Sequence, residues 1–535
     1  AKVVAADAQL RIADFVYIRG AFAYEKGVPV VEELENDETR DLDVVTFGFV
    51  NAYVFAGIGG PYWVDSNGDG VVNGDDEAAA NGATGIAIGG VNAAIVMLRE
   101  TGVLNPISYF ALKLHADTAT FVGFEDVLTL RAANIDIAIN YAVDPAGVVR
   151  AGDFSQMDGG GLEVLTGGET ILIDFSDELL LVTIGEAELA IADFIFLNGT
   201  LALKRAPQVV TLANGTELET SLLTFGGTNL NVFVGINGPA DRAGAVGLAL
   251  GGVEFALGLF TPNSDQAAIA ALRWTSLKAT ASTVGLIGIP DLELSSTDLA
   301  IELNRVSGTV IDEDPDLWVI DYSNEALSVV TGPSASVEFD FAGEVGQLLQ
   351  VSGEIAITVG GFFHVSGGLA FRESAQTITL ANGDEVKTRA LTIGGRGLNA
   401  FAGLNGPATE DGAIGFSLTG VEFAFALFTE KLEDTTDATT FAQRWMSLRA
   451  TAETVSFIGI ENVTVSASTF EVGINRQLGL APDAQPNVVN FADAAFEIAT
   501  SPSTTLALEF DGEQGELLQA SGQMEINFYG FVSFS

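Results

Sequence analysis

Apolar and polar residues alternate along most of this chain with a period of two, the spacing that sends successive side chains to opposite faces of a β-strand. Val253, Phe255, Leu257 and Leu259 form one such set, and Val421, Phe423, Phe425 and Leu427 repeat it. Leu299, Ile301 and Leu303 form another, matched by Phe470, Val472 and Ile474. Shorter sets are Val337, Phe339, Phe341 and Leu506, Leu508, Phe510. Gly, Asn or Asp bound each run, and Asn-Gly pairs at Asn214, Asn237, Asn382 and Asn405 supply turns that need a positive φ. Helix is predicted only at 264–272 and 437–446, two turns or so in each. The stretch 78–98 has the length of a membrane helix, but its glycines and asparagines predict Gly-punctuated strands instead. The expectation is an all-β fold with little helix. Small or apolar residues also fill many intervening positions, as in GAIGFSLTG, so the strands are expected to be covered on both faces.

The chain repeats itself. TLANGTELETSLLTFGGTNLNVFVGINGPA from Thr211 returns 168 residues later as TLANGDEVKTRALTIGGRGLNAFAGLNGPA from Thr379. RWTSLKATASTVGLIGI from Arg273 likewise returns as RWMSLRATAETVSFIGI from Arg444, and a more diverged copy begins near Phe47. We divide the chain into a partial repeat at 1–19 carrying an end strand, repeat 1 at 20–198 with an insertion, repeat 2 at 199–366 and repeat 3 at 367–535. The final NFYGFVSFS matches the element that IADFVYIRGAFA forms near the start, so the chain is expected to start and stop inside a unit. That implies a piece of a longer array, or a subunit whose ends continue into its neighbours. A unit of this length is too long for one solenoid coil, and no Pro/Ser-rich linker separates the copies. The predicted architecture is therefore tandem long β repeats, either β-solenoid-like or tightly joined β-sandwich units.

Charge narrows the function. The 535 residues carry 71 Asp and Glu against 23 Lys and Arg, a formal net charge of −48, while 48% of residues are hydrophobic. High hydrophobicity beside such charge predicts a folded chain and not a disordered one. Nucleic acid is excluded as a partner for want of a basic surface. Cations are the natural counterpart, Ca²⁺ above all, since it takes hard carboxylate oxygens. With no cysteine there are no disulfides or thiolate metal sites, and with no initial Met or leader the chain reads as processed or partial.

One motif has specific chemistry. Where repeats 2 and 3 read NGPADRAGAVG and NGPATEDGAIG, repeat 1 carries GGPYWVDSNGDGVVNGDDEAAANGATG. Within it, oxygen side chains fall at loop positions 1, 3, 5, 9 and 12 as Asp65, Asn67, Asp69, Asn73 and Asp76, with Gly70 at position 6. That is EF-hand-type calcium spacing: the first three side chains converge on one cation and the glycine permits the sharp turn. The Val71 carbonyl adds a ligand, Asn73 acts directly or through water, and Asp76 closes the shell. The twelve residues resemble the calcium loops of dockerins and of short calcium-binding repeats in bacterial surface proteins. No second loop or flanking helices accompany them, so a dockerin's binding to cohesin is not implied. Across the chain, the LKATA…L.I…N units resemble giant, acidic, repetitive bacterial extracellular proteins of the adhesin or surface-fibre kind.

Other candidates have plainer readings. His115 and His364 lie in no catalytic motif and read as strand-surface residues. Asp312, Glu313, Asp314 and Asp316 read as a solvated turn or a second, weaker calcium site. Trp274 and Trp445 recur at equivalent positions, which favours packing over a carbohydrate platform, and the sequons at Asn198, Asn214 and Asn462 read as incidental. The intervening small apolar residues argue against an outer-membrane barrel, whose lumen positions should be clearly polar. The functional expectation is a non-enzymatic, extracellular, calcium-stabilised structural protein, a self-associating subunit or segment of a bacterial surface fibre. An adhesin stalk, without self-assembly and with a surface or glycan ligand, is the alternative.

Overall fold

The fold is that of a computed structural model. It describes residues 1–12, 15–27, 30–35, 38–72, 76, 82–123, 128–146, 150–157, 159–191, 194–308, 314–431, 442–461, 463–480, 485–501, 503–528 and 532–534.

The described chain is mostly strand, with almost no helix. β1 (Lys2–Ile12) precedes a first unit of β2 (Val16–Lys26), β3 (Val30–Glu35), β4 (Glu38–Ile58), β5 (Thr84–Glu100), β6 (Ser108–Val122), β7 (Leu128–Val143), β8 (Leu162–Leu165), β9 (Thr170–Ile173) and β10 (Leu179–Ile191). A second unit follows as β11 (Ile195–Thr211), β12 (Glu217–Ile236), β13 (Val246–Pro262), β14 (Arg273–Ile287), β15 (Leu292–Ser307), β16 (Leu327–Gly332), β17 (Ala335–Phe339) and β18 (Leu348–Val359). The third comprises β19 (Phe363–Thr379), β20 (Glu385–Leu404), β21 (Ile414–Glu430), β22 (Arg444–Ile458), β23 (Val463–Leu478), β24 (Phe496–Ser501), β25 (Thr504–Leu508) and β26 (Leu517–Phe528), with β27 (Val532–Phe534) after it.

Twenty-one of these strands form one antiparallel sheet. β3 continues the line of β2 beside β4, and β27 is a short addition to β26; the other nineteen make a meander that does not close into a barrel. The expected architecture is corrected accordingly. A solenoid stacks its coils through parallel ladders, and a sandwich needs two facing sheets. Here units are joined edge to edge by ordinary antiparallel ladders, β10 to β11 and β18 to β19.

In each unit a small hairpin (β8–β9, β16–β17, β24–β25) folds over one face of the sheet. The three main cores lie beneath them. In the second unit Phe260, Trp274, Ile320, Val329 and Phe339 pack together, and in the third Phe428, Trp445, Val489, Ile498 and Leu508 do so. The hairpin sits so close that a Cβ on Gly48, Gly226 or Gly394 would lie 2.0–2.2 Å from the carbonyl oxygen of Leu165, Val330 or Ala499. Glycine in mid-strand at these places therefore answers to backbone approach.

Polar tethers fix the caps. Asn140, Asn304 and Asn475, all buried, each donate through Nδ2 to a cap carbonyl at 2.8 Å: Gly152, Ile320 and Val489. Lys113 to Asp174 (3.0 Å) and Lys278 to Asp340 (2.7 Å) pair the same strand position with the hairpin in two units. In the second unit Ser276 Oγ also lies 2.8 Å from the Tyr322 hydroxyl, and burial drives that phenol's pKa up. The third unit places Phe491 at the corresponding site, where its N–H donates to Phe510 as that of Tyr322 does to Phe341. Tyr322→Phe should therefore fold normally and lose only about 0.5–1.5 kcal/mol, one net hydrogen bond, in a denaturant titration. A loss above 3 kcal/mol would rule this account out. The raised phenol pKa also gives a sign: its stabilisation is complete below the unfolded value near 10 and disappears as pH rises through the folded value.

Among the described residues helix is scarcer than expected. The first predicted segment holds only Ala267–Ala270. In the second, 437–441 lies outside the described residues and Arg444 already opens β22, because Trp445 pairs with Phe428 in the ladder. At the Asn-Gly turns the positive φ falls on Asn237 and Asn405, but on Gly215 and Gly383 after Asn214 and Asn382.

Candidate metal centre

The insertion of the first unit leaves the sheet after β4. Its opening residues anchor it: Tyr62 stacks on Phe55, and Trp63 meets Tyr53 and Tyr62 edge-on at 5.2 and 4.8 Å. These rings join Tyr17 around a cavity of about 150 Å³ that reaches Asp65. Arg19, on β2, donates to the Gly70 carbonyl and faces Asp7 at 3.5 Å. The Tyr-Trp pair and Arg19 were not singled out from sequence; the signal was the absence of aromatic residues at the matching Gly-Pro turns of the other units.

Beyond Trp63 the loop is held by its own side chains. Asp65 accepts from the Gly68 and Gly70 N–H groups at 2.7 and 2.9 Å. Asn67 accepts from Asp69 N–H at 2.9 Å, and Asp69 from Val71 N–H at 2.7 Å. Gly68 and Gly70 adopt φ of 78° and 88°, which only glycine takes without cost. Asp76 is 8% exposed and accepts from Ser66 N–H at 2.8 Å and its hydroxyl at 3.2 Å, tying position 12 to position 2. The fold thus brings Asp65, Asn67, Asp69, Val71 and Asp76 into one small loop, while Asn73 lies outside the described residues.

The donor set suits a hard cation: every side-chain donor is a carboxylate or amide oxygen, and an ionised carboxylate keeps free lone pairs after accepting one N–H. Among the described residues, no group of three or more His, Asp or Glu is arranged to hold a metal ion. An EF-type shell also draws on an amide and on a main-chain carbonyl, which such a grouping leaves out.

The remaining candidates have structural partners. Trp274 and Trp445 are fully buried and donate through Nε1 to the Trp318 and Asn487 carbonyls at 2.6 and 2.8 Å, so neither offers a face to sugar. Asp314 and Asp316 form no solvated turn: both pair with Lys431, and Arg389 stands 3.6 Å from Asp316. Asp312, Glu313 and Asn462 lie outside the described residues. His115, exposed, contacts Asp136 at 2.7 Å; His364 contacts Thr358 at 3.1 Å. The displaced acids also have local causes. Burial raises Glu302 against the opposing pull of Lys278. At Asp321 a burial effect in the upward direction is outweighed by hydrogen bonds from Gly343 and Ser323, which lower it.

No protein-family model matches this chain, and no curated protein sequence does. Among solved structures, the siderophore receptor PirA from Pseudomonas aeruginosa aligns over 88% of this chain and 76% of its own length, at 8% identity and a TM-score of 0.13. At that score no likeness of fold follows, and the family of this chain is not assigned by comparison.

Proposed function

We propose that this is a non-enzymatic structural protein of the bacterial cell exterior, whose tandem units build a continuous β wall within a self-associating, fibre-like assembly. The observation that supports it most is the junction between units. β10–β11 and β18–β19 join successive units through the same main-chain ladder that joins strands within a unit. Hydrogen bonds of that kind need no specific side chains, so another copy can add a unit by strand addition. Light scattering at millimolar calcium and high protein concentration tests this: growth to large assemblies is expected, and a strictly monomeric protein removes the reading.

In the same proposal the loop binds Ca²⁺ through Asp65, Asn67, Asp69, Asn73, Asp76 and the Val71 carbonyl. Bound calcium supplies charge neutralisation among the carboxylates and stiffens the insertion against β2 and β4. Calcium at a hundred times its Kd should stabilise the first unit by about 2.7 kcal/mol. Asp65→Asn and Asp69→Asn, which remove the charge but keep an oxygen to accept the loop's N–H groups, should abolish the calcium-dependent rise in Tm while leaving the calcium-free Tm nearly unchanged. Equal melting of the parent protein in calcium and in EDTA would remove the metal from the proposal.

A further inference from the structure

The hairpins cover one face of the sheet; the opposite face carries no layer of protein among the described residues. Partners opposite each other in a ladder share a face, so its composition follows from the registers. One row runs from Leu128 through Ile191, Val234, Leu286, Ile357 and Leu418 to Met524, crossing every strand of the meander from β7 to β26 without a polar residue. Along β13 the same face presents Val246, Leu248 and Leu250, then, beyond a bulge, Val253, Phe255, Leu257 and Leu259. The other face alternates with it as small and polar residues, Gly247, Ala249, Glu254, Ala256 and Gly258. Part of the small intervening set thus belongs to the capped face, where Gly258 meets the hairpin's Phe339. On the uncapped face the first unit packs Ala52, Ala93, Ala116 and Ala132 among Val91 and Ile135 of the same face.

We infer that the uncapped face is a lipid-contact surface, occupied by the acyl chains of a phospholipid bilayer. Three observations carry this. The accessible surface is 27555 Å², against about 18,000 Å² for a compact monomer of this mass, so much of the sheet is not folded upon itself. Nineteen strands at about 4.8 Å spacing make a face on the order of 90 Å wide, which over an apolar run of about 43 Å is roughly 4,000 Å², far beyond the roughly 800 Å² that one protein partner usually covers. The apolar run of β13 is about 43 Å long at about 3.3 Å per residue, and a tilt of about 40° brings its height near the roughly 30 Å of a hydrocarbon core. At the upper end of that band the same face carries mixed charge, Arg99 opposite Asp43, Arg205 with Glu219, and Arg273 and Arg444 beyond them, where the paired phosphate and ammonium charges of a zwitterionic headgroup would lie. Arg305 and Arg389 meet Glu373 there, at 3.5 and 2.8 Å. The inference concerns the face of the sheet and does not depend on the calcium loop; within hydrocarbon the backbone groups of the edge strands β1 and β26 must be paired, by another copy or by closure of the sheet.

The chain has no cysteine, so a single introduced one carries a unique nitroxide label. In the full chain with dioleoylphosphatidylcholine vesicles, labels at Leu257→Cys and at its third-unit counterpart Phe425→Cys should gain collisions with oxygen and lose them with a water-soluble nickel chelate. A label at Thr280→Cys, on the capped face, should remain accessible to nickel. The vesicles should also float the protein in a density gradient. The inference is overturned if the protein stays at the bottom of the gradient. It is equally overturned if the Leu257 and Phe425 labels keep their nickel access, or lose both collision rates in lipid-free buffer as the mass doubles, which would assign the face to a second copy. Assembly by strand addition and calcium-dependent melting are read separately and survive either result.

Discussion

Replacing Trp445 by alanine is expected to cost about 3–5 kcal/mol, the range for emptying a buried large aromatic site. The indole is fully buried at the centre of the third core, with Phe428 beside it in the ladder and Val489, Ile498 and Leu508 in the same cluster. Alanine removes that packing and also strips the half-buried Asn487 carbonyl of its Nε1–H donor, a second, smaller cost because a partly desolvated carbonyl loses its partner. Trp445→Tyr should cost much less, since the first unit places Tyr109 in the matching core position. Units joined by nearest-neighbour contacts need not unfold as one. The measurement is therefore hydrogen exchange in denaturant, read separately for peptides of each unit. Protection should fall in the third unit and stay near parental in the first. A uniform loss across all units would show that the cores are coupled more tightly than their separate hairpins imply.

The second large effect is expected at the junction of the second and third units. Asp316 has a side chain 7% exposed, receives the Gln347 N–H at 2.8 Å, and is paired with Lys431 and Arg389 of the following unit. Lys431→Met should cost about 3 kcal/mol, at the low end for breaking a buried pair because Arg389 and Gln347 still serve the carboxylate. Adding Asp316→Leu should recover most of that loss, since the expense lies in the uncompensated buried charge. The neighbouring Lys431–Asp314 contact is a quarter exposed and is screened by salt, so it contributes little. Chemical denaturation of the single and double variants decides the matter: a loss under 0.5 kcal/mol for Lys431→Met would make the cluster a surface feature. The corresponding position in the second unit is Asn263, whose N–H donates to Glu219 as that of Lys431 does to Lys387, so this clasp is specific to one junction.

Much of this protein was legible in its sequence because its information is local. Period-two alternation gives strands directly, since a strand's faces depend only on residue parity. Val253–Leu259 and Phe470–Ile474 accordingly lie within β13 and β23. Internal repetition exposed the recurring unit, and the calcium-type loop was readable because its donors fall within twelve consecutive residues. The loop's anchors were less legible: Arg19 is 51 residues from the carbonyl it holds.

What only the tertiary structure decided is how the faces are assigned. Alternation says that two faces differ, but not which one the protein covers. The same apolar row fits a solenoid, a sandwich or an open wall, and the choice among them depends on ladders between strands distant in sequence. Folding of the hairpins over the glycine-bearing face settled it. That contact turned Trp274 and Trp445 into core residues and left the row from Leu128 to Met524 without a covering layer among the described residues, while the edge-to-edge join of the second and third units drew Asp316 into an ionic cluster. Parity is a property of the chain, whereas burial is a property of what folds against it.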